Sequence, residues 1–281
     1  MLTFRQMMMT NYHSHSHYCD GKGSLEDQVQ GAIAQRLTAL GFSSHSPVPF
    51  DNLWSMKAER LEAYLTEIAL LKEKYQSQIE LYAGLEVDFL PTAHDRSFLP
   101  KLDYHIGSVH YVGQDQHGQP WEIDGSSVAF LQCLDTLYEG DIRQVIEKYY
   151  ALIRQMVETT QPDIVGHLDK IKMHNAARLL FEESEKWYVA VVEATLEVIA
   201  QNGIMVEINT RGHYKRGLDL YPSPWIIARM ATLQIPICIN SDSHRPDEIS
   251  ASFAYAYEAA YKAGYRSKRV LLGGKWGEVM L

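Results

Sequence analysis

Histidines and acidic residues recur in this sequence at the ends of short apolar runs. The first example is NYHSHSHYCDG, in which His13 and His15 stand two positions apart. On a strand, residues i and i+2 point to the same face, so two imidazoles can bind one metal ion there. The HxH pair alone is weak evidence, because a polar, histidine-rich segment is the commoner explanation.

The same pattern follows six further apolar runs. Each run is ended or followed by a potential ligand, namely His45, Glu86, His110, His167, Glu207 with Asn209, and Asp242 with His244. A lone histidine at a strand end is usually a partly buried, hydrogen-bonded side chain that binds no metal ion. Seven successive strands that each end in such a residue are improbable as independent coincidences. The pattern therefore predicts that these residues converge on one metal site.

Strands that alternate with helices are the elements that must position these residues. The predicted strands cover residues 10–14, 37–42, 79–87, 103–109, 162–167, 203–209 and 235–240, with a further candidate at 269–272. The predicted helices cover residues 25–35, 54–76, 142–160, 181–202, 223–233 and 247–264. Alternation of this kind predicts parallel strands joined by crossover helices.

A (β/α) barrel is the architecture that this alternation favours. Seven or eight strand–helix units in 281 residues suit a barrel, in which the carboxyl ends of the strands meet at one mouth. The alternative is an open doubly wound sheet with a glycine-rich phosphate-binding turn, but neither GxGxxG nor GxxxxGK[ST] occurs. We therefore predict one domain over residues 1–281, with residues 110–127 and 211–222 as active-site loops.

Composition and charge narrow the functional class. Apolar residues make up 46% of the chain and charged residues 22%, which are ordinary globular values. The net charge of −9 argues against a nucleic-acid-binding protein, which needs a basic surface. No run of about 18 apolar residues suggests a membrane span, and residues 1–10 do not resemble a secretory signal. We expect a cytoplasmic protein with a small-molecule partner; the oligomeric state stays open.

The remaining histidines and the cysteines have simpler expected roles. His94, His117 and His174 are expected in polar loops, and His105 in the core or behind the ligands. His17 has the spacing of a ligand, and His213 lies in a predicted loop where it could reach a substrate. Three cysteines cannot form a paired framework and fit free thiols, namely Cys19, Cys133 and Cys238.

Seven motifs in this order resemble a known family. HSHSHYCDG, GFSSHSP, GLEVDF, GSVH, GHLD, EINT and SDSH, over residues 11–245, are similar to the PHP (polymerase and histidinol phosphatase) superfamily. GFSSHSP, GLEVDF, GSVHY and GHLDKIK are closer to its histidinol-phosphate phosphatases. The resemblance implies a single distorted (β/α)7, TIM-like barrel with two to three divalent ions of zinc, manganese or iron, between which the sequence does not choose.

The resemblance also implies which residues bind each ion. The first ion would be held by His13, His15, Glu86 and Asp242. The second would share Glu86 as a bridge and add His110 and His167. The third would be held by His45 and His244, with Asp20 as the additional ligand and His17 as the competing candidate.

The implied activity is hydrolysis of L-histidinol phosphate to L-histidinol and phosphate, by in-line attack of a metal-bridging hydroxide. Glu86 would bridge the ions, and Asp242 or His244 would serve the leaving group. The alternatives are a PHP phosphoesterase for another small phosphate ester, an amidohydrolase-type C–N hydrolase, and a non-catalytic module like those attached to some DNA polymerases. The GSVH and SDSH motifs argue against the second, and the complete ligand set argues against the third.

Cationic side chains are expected to bind the phosphate group. The candidates are Arg211, Lys215, Arg216 and Arg245. Family members often have a small residue before the glycine at Gly212, whereas this chain has Arg211 there. The cationic histidinol portion calls for acidic and aromatic groups; those near the predicted mouth are Asp88, Glu122, Asp124, Tyr111 and Trp121.

Overall fold

A computed structural model describes residues 8–92, 95–176 and 178–281. Its strands are β1 (Thr10–Asn11), β2 (Ala39–Phe42), β3 (Glu80–Asp88), β4 (Tyr104–Ser108), β5 (Tyr111–Gln114), β6 (Pro120–Glu122), β7 (Ile164–Val165), β8 (Met205–Asn209), β9 (Ile237–Asn240), β10 (Ser267–Leu272) and β11 (Lys275–Met280). Its α-helices are α1 (Leu25–Ala34), α2 (Leu61–Tyr75), α3 (Ser127–Tyr138), α4 (Ile142–Thr160), α5 (Lys186–Asn202), α6 (Arg211–Arg216), α7 (Pro224–Thr232) and α8 (Phe253–Ala263).

Seven parallel strands form a nearly closed barrel in the order β1-β2-β3-β4-β7-β8-β9. A parallel bridge between Ser14 and Ser243 joins the chain just beyond the two outermost strands. The predicted fold class is therefore confirmed, and all seven predicted barrel strands are present. Several are shorter than expected, because the chain leaves the sheet where the polar loops begin.

The eighth predicted strand belongs to a hairpin outside the barrel sheet. β10 pairs with β11 in antiparallel fashion, and the turn between them consists of Gly273 and Gly274, both with positive φ (56° and 73°). Two consecutive positive φ angles are typical of a tight hairpin turn that glycine enters without strain. Sequence reasoning did not predict β11.

The β10–β11 hairpin closes the amino-terminal end of the barrel. Leu271 packs in the barrel interior with Tyr12 and Tyr104, and the Tyr12 hydroxyl donates to the main-chain oxygen of Leu271 at 3.0 Å. The ring of Trp276 contacts the rings of Tyr12 and Tyr104, with centroids 5.2 and 6.2 Å apart. With this end filled, the carboxyl ends of the strands are left for the polar residues.

The helices differ from prediction mainly at their starts. α2 begins at residue 61 rather than 54, α5 at 186 rather than 181, and α8 at 253 rather than 247. The predicted loop 110–127 contains the β5–β6 hairpin, and the predicted loop 211–222 contains α6. α3 was not predicted; only Phe130 and Leu134 of its twelve residues are buried.

No helix within the described ranges is long and apolar enough to cross a lipid bilayer. The longest, α4, alternates buried aliphatic residues with charged ones. Its apolar face packs in the largest hydrophobic cluster, together with α5, α7 and α8. A second cluster holds α1 and α2 against β2 and β3.

Candidate metal centre and its cavity

The predicted ligands gather around one carboxylate at the carboxyl end of the barrel. Glu86 lies near the end of β3 and is 1% exposed. Five imidazole nitrogens lie within 3.5 Å of its oxygens: His13 Nε2 (3.2 Å), His15 Nε2 (3.5 Å), His45 Nδ1 (3.0 Å), His110 Nε2 (3.4 Å) and His167 Nε2 (2.8 Å). Residues separated by as many as 154 positions thus meet in one pocket, as the strand-end pattern predicted.

Three overlapping groups of side chains have ligand atoms close enough to hold a metal ion. The Asp242 group consists of His13, His15 and Asp242; the Glu86 group consists of His45, Glu86 and His110; and the Asp20 group consists of His15, Asp20, His45 and His244. His167 adjoins the Glu86 group, with its Nε2 3.2 Å from Nε2 of His110. The grouping differs from the expected one: His15 and His45 each take part in two groups, whereas Glu86, which was expected to bridge the first and second ions, takes part in one.

Asp20 and His17 were the competing candidates for the additional ligand of the third ion, and the Asp20 group distinguishes between them. Asp20 Oδ2 lies 3.2 Å from His244 Nε2, and Oδ1 lies 3.8 Å from His45 Nε2. His17 is exposed and its ring packs on Tyr18 instead. The structure therefore brings Asp20, and not His17, to the other candidate ligands.

The buried donor atoms of this pocket fit divalent cations. Among the described residues, His13 Nε2, His15 Nε2, His45 Nδ1 and Asp20 Oδ1 are buried without a hydrogen-bond partner. A buried polar atom left in that condition costs about 1–3 kcal/mol, and cations bound in these groups would satisfy all four atoms. Imidazoles and carboxylates without thiolates suit zinc, manganese or iron.

The electrostatics of the pocket favour the ligand forms of several residues. Burial, together with the nearby His244 and His45, holds the pKa of His15 well below its usual value, so its imidazole is neutral. Burial would raise the pKa of Glu86, but the surrounding His13, His45 and His110 hold it well below the usual range. Neutral imidazoles beside an anionic carboxylate are the forms that bind metal ions.

Several ligands are oriented by groups behind them. His110 Nδ1 lies 2.7 Å from Asp88 Oδ1. Burial would lower the pKa of His110, but the nearby carboxylates, Asp88 first among them, raise it to about 9. The Ser108 hydroxyl donates to Glu86 Oε1 at 2.6 Å. Asp88, which we expected to face substrate, thus orients the candidate ligand His110 instead and does not line the cavity.

A cavity of about 270 Å³ opens beside the groups. It is lined by Asp20, His45, Trp54, Glu122, Asp124, Gly125, Lys170, Arg211, Arg216, Tyr221, Asp242 and His244. Two of the four predicted phosphate-binding residues are among them. The other two lie elsewhere: Lys215 Nζ is 3.6 Å from Glu248, and Arg245 Nε is 3.1 Å from Asp247.

Lys170 is a cavity residue that sequence reasoning did not assign. It begins a short 3₁₀ helix, Lys170–Ala176, three positions after His167, and its Nζ lies 3.0 Å from Asp124. Burial would lower the pKa of Lys170, but Asp124, Asp242 and Glu86 raise it above its usual value, so the ammonium stays charged. The motif GHLDKIK was the available signal, although it did not show where the lysine points.

Acidic and aromatic residues form another part of the cavity wall. Glu122 and Asp124 line it as expected, and the Trp54 indole donates from Nε1 to Glu122 Oε1 at 2.9 Å. Trp54 also stacks on Tyr111 and contacts His45, with ring centroids 5.7 and 4.5 Å apart. Trp54 was predicted to begin a helix. Trp121 packs against Phe130 away from the cavity.

The other histidines that the structure describes lie outside the three groups. His174 is buried and stacks on Phe130 at 3.8 Å, so the prediction of a polar loop was wrong for it. His117 is exposed, and His105 lies 3.2 Å from Asp163. His213 stacks on Tyr255 and does not line the cavity. His94 falls outside the described residues.

The thiols differ in their surroundings. Cys19 lies beside the Asp242 group, with its Sγ 3.5 Å from Nδ1 of His15. Burial raises the pKa of the Cys19 and Cys238 thiols, which keeps them protonated and unreactive. Cys133 is partly buried on α3. These positions agree with the expectation of free, structural cysteines.

The sequence is similar to a known protein family over most of its length. A family model described as the PHP domain matches residues 11–211. A probable histidinol-phosphatase from Deinococcus radiodurans is 30% identical over 264 residues, which cover 91% of this chain and 94% of that protein. The histidinol-phosphatase of Bacillus subtilis is 27% identical over 274 residues, covering 90% of this chain and 98% of that protein.

Solved structures share the fold. A putative histidinol phosphatase from Listeria monocytogenes superimposes with a TM-score of 0.76 at 21% identity, covering 88% of this chain and 99% of that one. Histidinol phosphate phosphatase from Lactococcus lactis, complexed with zinc, L-histidinol and phosphate, gives a TM-score of 0.70 at 20% identity, covering 96% and 99%. Both likenesses show that this chain shares the barrel fold of these structures.

Proposed function

This chain belongs to the PHP domain family, and on that premise we propose that it is a metal-dependent phosphatase that hydrolyses L-histidinol phosphate to L-histidinol and phosphate. The observation that carries the proposal is the juxtaposition of Glu86, with its five imidazoles, and a cavity holding both cationic and acidic side chains. The curated relatives that match nearly the whole chain are named for this activity.

The metal ions would be held by the Asp242, Glu86 and Asp20 groups, with His167 beside the second. When bound, two to three divalent ions supply positive charge to the phosphoryl oxygens and acidify a water molecule. Asp242 and His244 lie beyond residue 211, where the family-model match ends. We therefore assign the catalytic domain to residues 1–281 as a whole.

The phosphate group would be bound by Lys170, Arg211 and Arg216. All three line the cavity beside the ligands. Arg211 is held by its bond to the Asp242 main-chain oxygen, which leaves other N–H groups of the guanidinium for phosphate oxygens. Lys215 and Arg245 are bound to acidic partners outside the cavity lining, and we assign them no contact with phosphate.

Proton transfer would involve Asp242. Burial would raise the pKa of Asp242, but His13 and Arg211 hold it well below its usual range, so the carboxylate stays anionic and can accept a proton from the attacking water. The same Asp242 carboxyl, once protonated, is the candidate to return the proton to the leaving alkoxide, whereas His244, with Nε2 3.2 Å from Asp20 and Nδ1 3.1 Å from the Asp242 main-chain oxygen, would act as a ligand of the Asp20 group.

The amine and imidazole of histidinol would meet Glu122, Asp124 and the face of Trp54. A cation beside carboxylates and an indole is stabilised by both ion pairing and cation–π attraction. Because Lys170 already neutralises Asp124, Glu122 is the freer carboxylate for the ligand.

Phosphate release tests the substrate assignment. Protein loaded with zinc, manganese or iron is offered L-histidinol phosphate, a sugar phosphate, a nucleoside monophosphate and p-nitrophenyl phosphate. We expect kcat/KM for L-histidinol phosphate to exceed the others at least 100-fold. Equal turnover of all four esters would instead support a phosphoesterase for another substrate, and metal binding without any phosphate release would support a non-catalytic module.

A further inference from the structure

Glu207 is a buried carboxylate that contacts candidate ligands from two different parts of the metal centre. It lies in the middle of β8, and its exposure is 0%. Its two oxygens lie 3.0 and 2.9 Å from Nδ1 of His13, in the Asp242 group. Its Oε1 also accepts a 2.8 Å hydrogen bond from the main-chain N–H of His167, which adjoins the Glu86 group.

The contact with His13 determines which ring nitrogen carries the proton. An ionised carboxylate can only accept hydrogen bonds, so Nδ1 of His13 must be the protonated nitrogen. In the neutral form of His13, which is the form that binds a metal ion, the lone pair is then on Nε2, and this nitrogen faces Glu86 and Asp242 at 3.2 and 3.7 Å. A carboxylate behind an imidazole fixes the ring and raises its basicity as a ligand.

The contact with His167 acts through the main chain. β7 consists of only Ile164–Val165, so few ladder bonds hold the segment that follows it. The bond from Glu207 fixes the peptide at His167, whose Nε2 lies 2.8 Å from Glu86. Loss of this bond would free the peptide that aims the imidazole.

Two asparagines lock Glu207 in its orientation. Asn209 Nδ2 donates to Oε1 at 2.8 Å, and Asn240 Nδ2 donates to Oε2 at 2.9 Å. Their amide oxygens are engaged by other donors: Asn209 Oδ1 accepts from the Arg211 N–H, and Asn240 Oδ1 accepts from the Tyr12 N–H. Neither amide can rotate without losing a buried bond, so Glu207 faces donors on both oxygens.

We propose that Glu207 is a positioning residue that prepares two metal positions at once, by setting the tautomer of His13 and the main-chain position of His167. The proposal rests on the metal binding in the proposed function but not on the identity of the substrate. Asp88 is the matched comparison, because its contact described above orients only His110.

Substitution by glutamine tests the charge and acceptor pattern without changing the volume. In Glu207→Gln the new NH2 group takes the place of one carboxylate oxygen, and at either position it meets a hydrogen-bond donor instead of an acceptor. If it takes the place of Oε2, it opposes the amide of Asn240, and the Nδ1–H of His13 keeps only the uncharged oxygen at the Oε1 position, 3.0 Å away, as its acceptor. If it faces Asn209 and His167, the main-chain bond is lost.

The experiment measures metal binding directly. Metal-free protein is titrated with zinc against a chromogenic chelator, for the wild type, Glu207→Gln, Glu207→Ala, Asp88→Asn and the remote control Glu193→Gln. We expect Glu207→Gln to weaken two of the bound ions at least tenfold, within the range of about 10–100-fold for outer groups. Asp88→Asn should weaken one ion, and Glu193→Gln none.

A spectroscopic measurement separates orientation from a general structural effect. In the cobalt-loaded wild type, the Nδ1–H of a metal-bound His13 should give a strongly shifted, exchangeable proton signal, assigned by its absence in His13→Asn. We expect Glu207→Gln to change or lose that signal while its circular dichroism stays that of the wild type.

Wild-type zinc affinities or loss of a single ion in Glu207→Gln would overturn the proposal, as would an unchanged His13 signal. A wild type that binds zinc normally but does not hydrolyse L-histidinol phosphate would overturn the proposed function alone.

Discussion

Arg211 donates a hydrogen bond of 2.8 Å from Nη1 to the main-chain oxygen of Asp242, 31 positions further along the chain. Asp242 has φ of +53°, in the left-handed region that most residues avoid. The Tyr214 hydroxyl donates to the adjacent main-chain oxygen of Ser241 at 3.0 Å. Residues of α6 therefore hold the turn that aims the Asp242 carboxylate at His13 and His15.

We expect Asp242→Asn to lower kcat more than 100-fold while the barrel stays folded. Asparagine tolerates a left-handed backbone better than alanine does, so this change removes the anionic ligand and proton acceptor with little backbone strain. Phosphate release, metal content and circular dichroism provide the measurements. Asp247→Asn, at an exposed position, is the control. Wild-type turnover in Asp242→Asn would remove this carboxylate from the mechanism.

Arg211→Met and Lys170→Met should each raise KM for L-histidinol phosphate about 10- to 100-fold, because a hydrogen bond to a charged group contributes about 1.5–3 kcal/mol. Inhibition by inorganic phosphate should weaken in parallel. Arg245→Met should stay within about twofold of the wild type, since Arg245 pairs with Asp247 outside the cavity lining. A larger effect at Arg245 than at Arg211 would reverse the assignment.

Trp54→Phe should affect the choice of substrate more than the chemistry. Phenylalanine keeps a ring against Tyr111 but loses the indole donor to Glu122. We expect kcat/KM for L-histidinol phosphate to fall about tenfold, while that for p-nitrophenyl phosphate changes little. Parallel steady-state kinetics on the two esters give the ratio, and an equal fall for both would argue against a role in substrate choice.

Removal of metal should lower the melting temperature as well as the activity. Ions that bind only the folded state stabilise it by about 2.7 kcal/mol at 100 times Kd. Chelated protein should therefore melt earlier in a calorimetric scan, and added zinc should restore the transition. An identical melting curve with and without chelator would mean that the three groups do not hold ions in the folded protein.

Lys268→Met should stabilise the protein at neutral pH. Lys268 is 2% exposed, and its Nζ lies 3.2 Å from Thr10 Oγ1; burial lowers its pKa from 10.5 to about 8. Below pH 8 the lysine is charged in both states, so the folded state bears the full cost of burying the charge, roughly 3 kcal/mol. Between pH 8 and 10.5 the unfolded chain binds more protons, so wild-type stability rises with pH.

The advantage of Lys268→Met should accordingly be greatest below pH 8 and shrink toward pH 10.5. Denaturant unfolding at pH 7, 8, 9 and 10 measures it. Arg269→Met, on the same strand but partly exposed, is the control and should show no such trend. A constant difference between Lys268→Met and the wild type at all four pH values would contradict the lowered pKa.

The sequence alone determined the strands, the barrel and the residues that converge at its mouth. Periodicity of apolar residues and the His, Glu or Asp at each strand end are local patterns, and parallel strands must bring such ends to one side. Glu86 could thus be expected near His110 although 24 positions separate them, and the two do lie 3.4 Å apart.

Only the tertiary structure decided which side chains outside the strands reach the cavity. Lys170 and Trp54 point into it, whereas Lys215 and Arg245 turn to acidic neighbours, and His174 is buried against Phe130 rather than solvated. The direction of a loop side chain depends on partners far away in sequence, such as Asp124 for Lys170 and Glu122 for Trp54. No local pattern contains that information, because the contact exists only after the barrel has brought the two segments together.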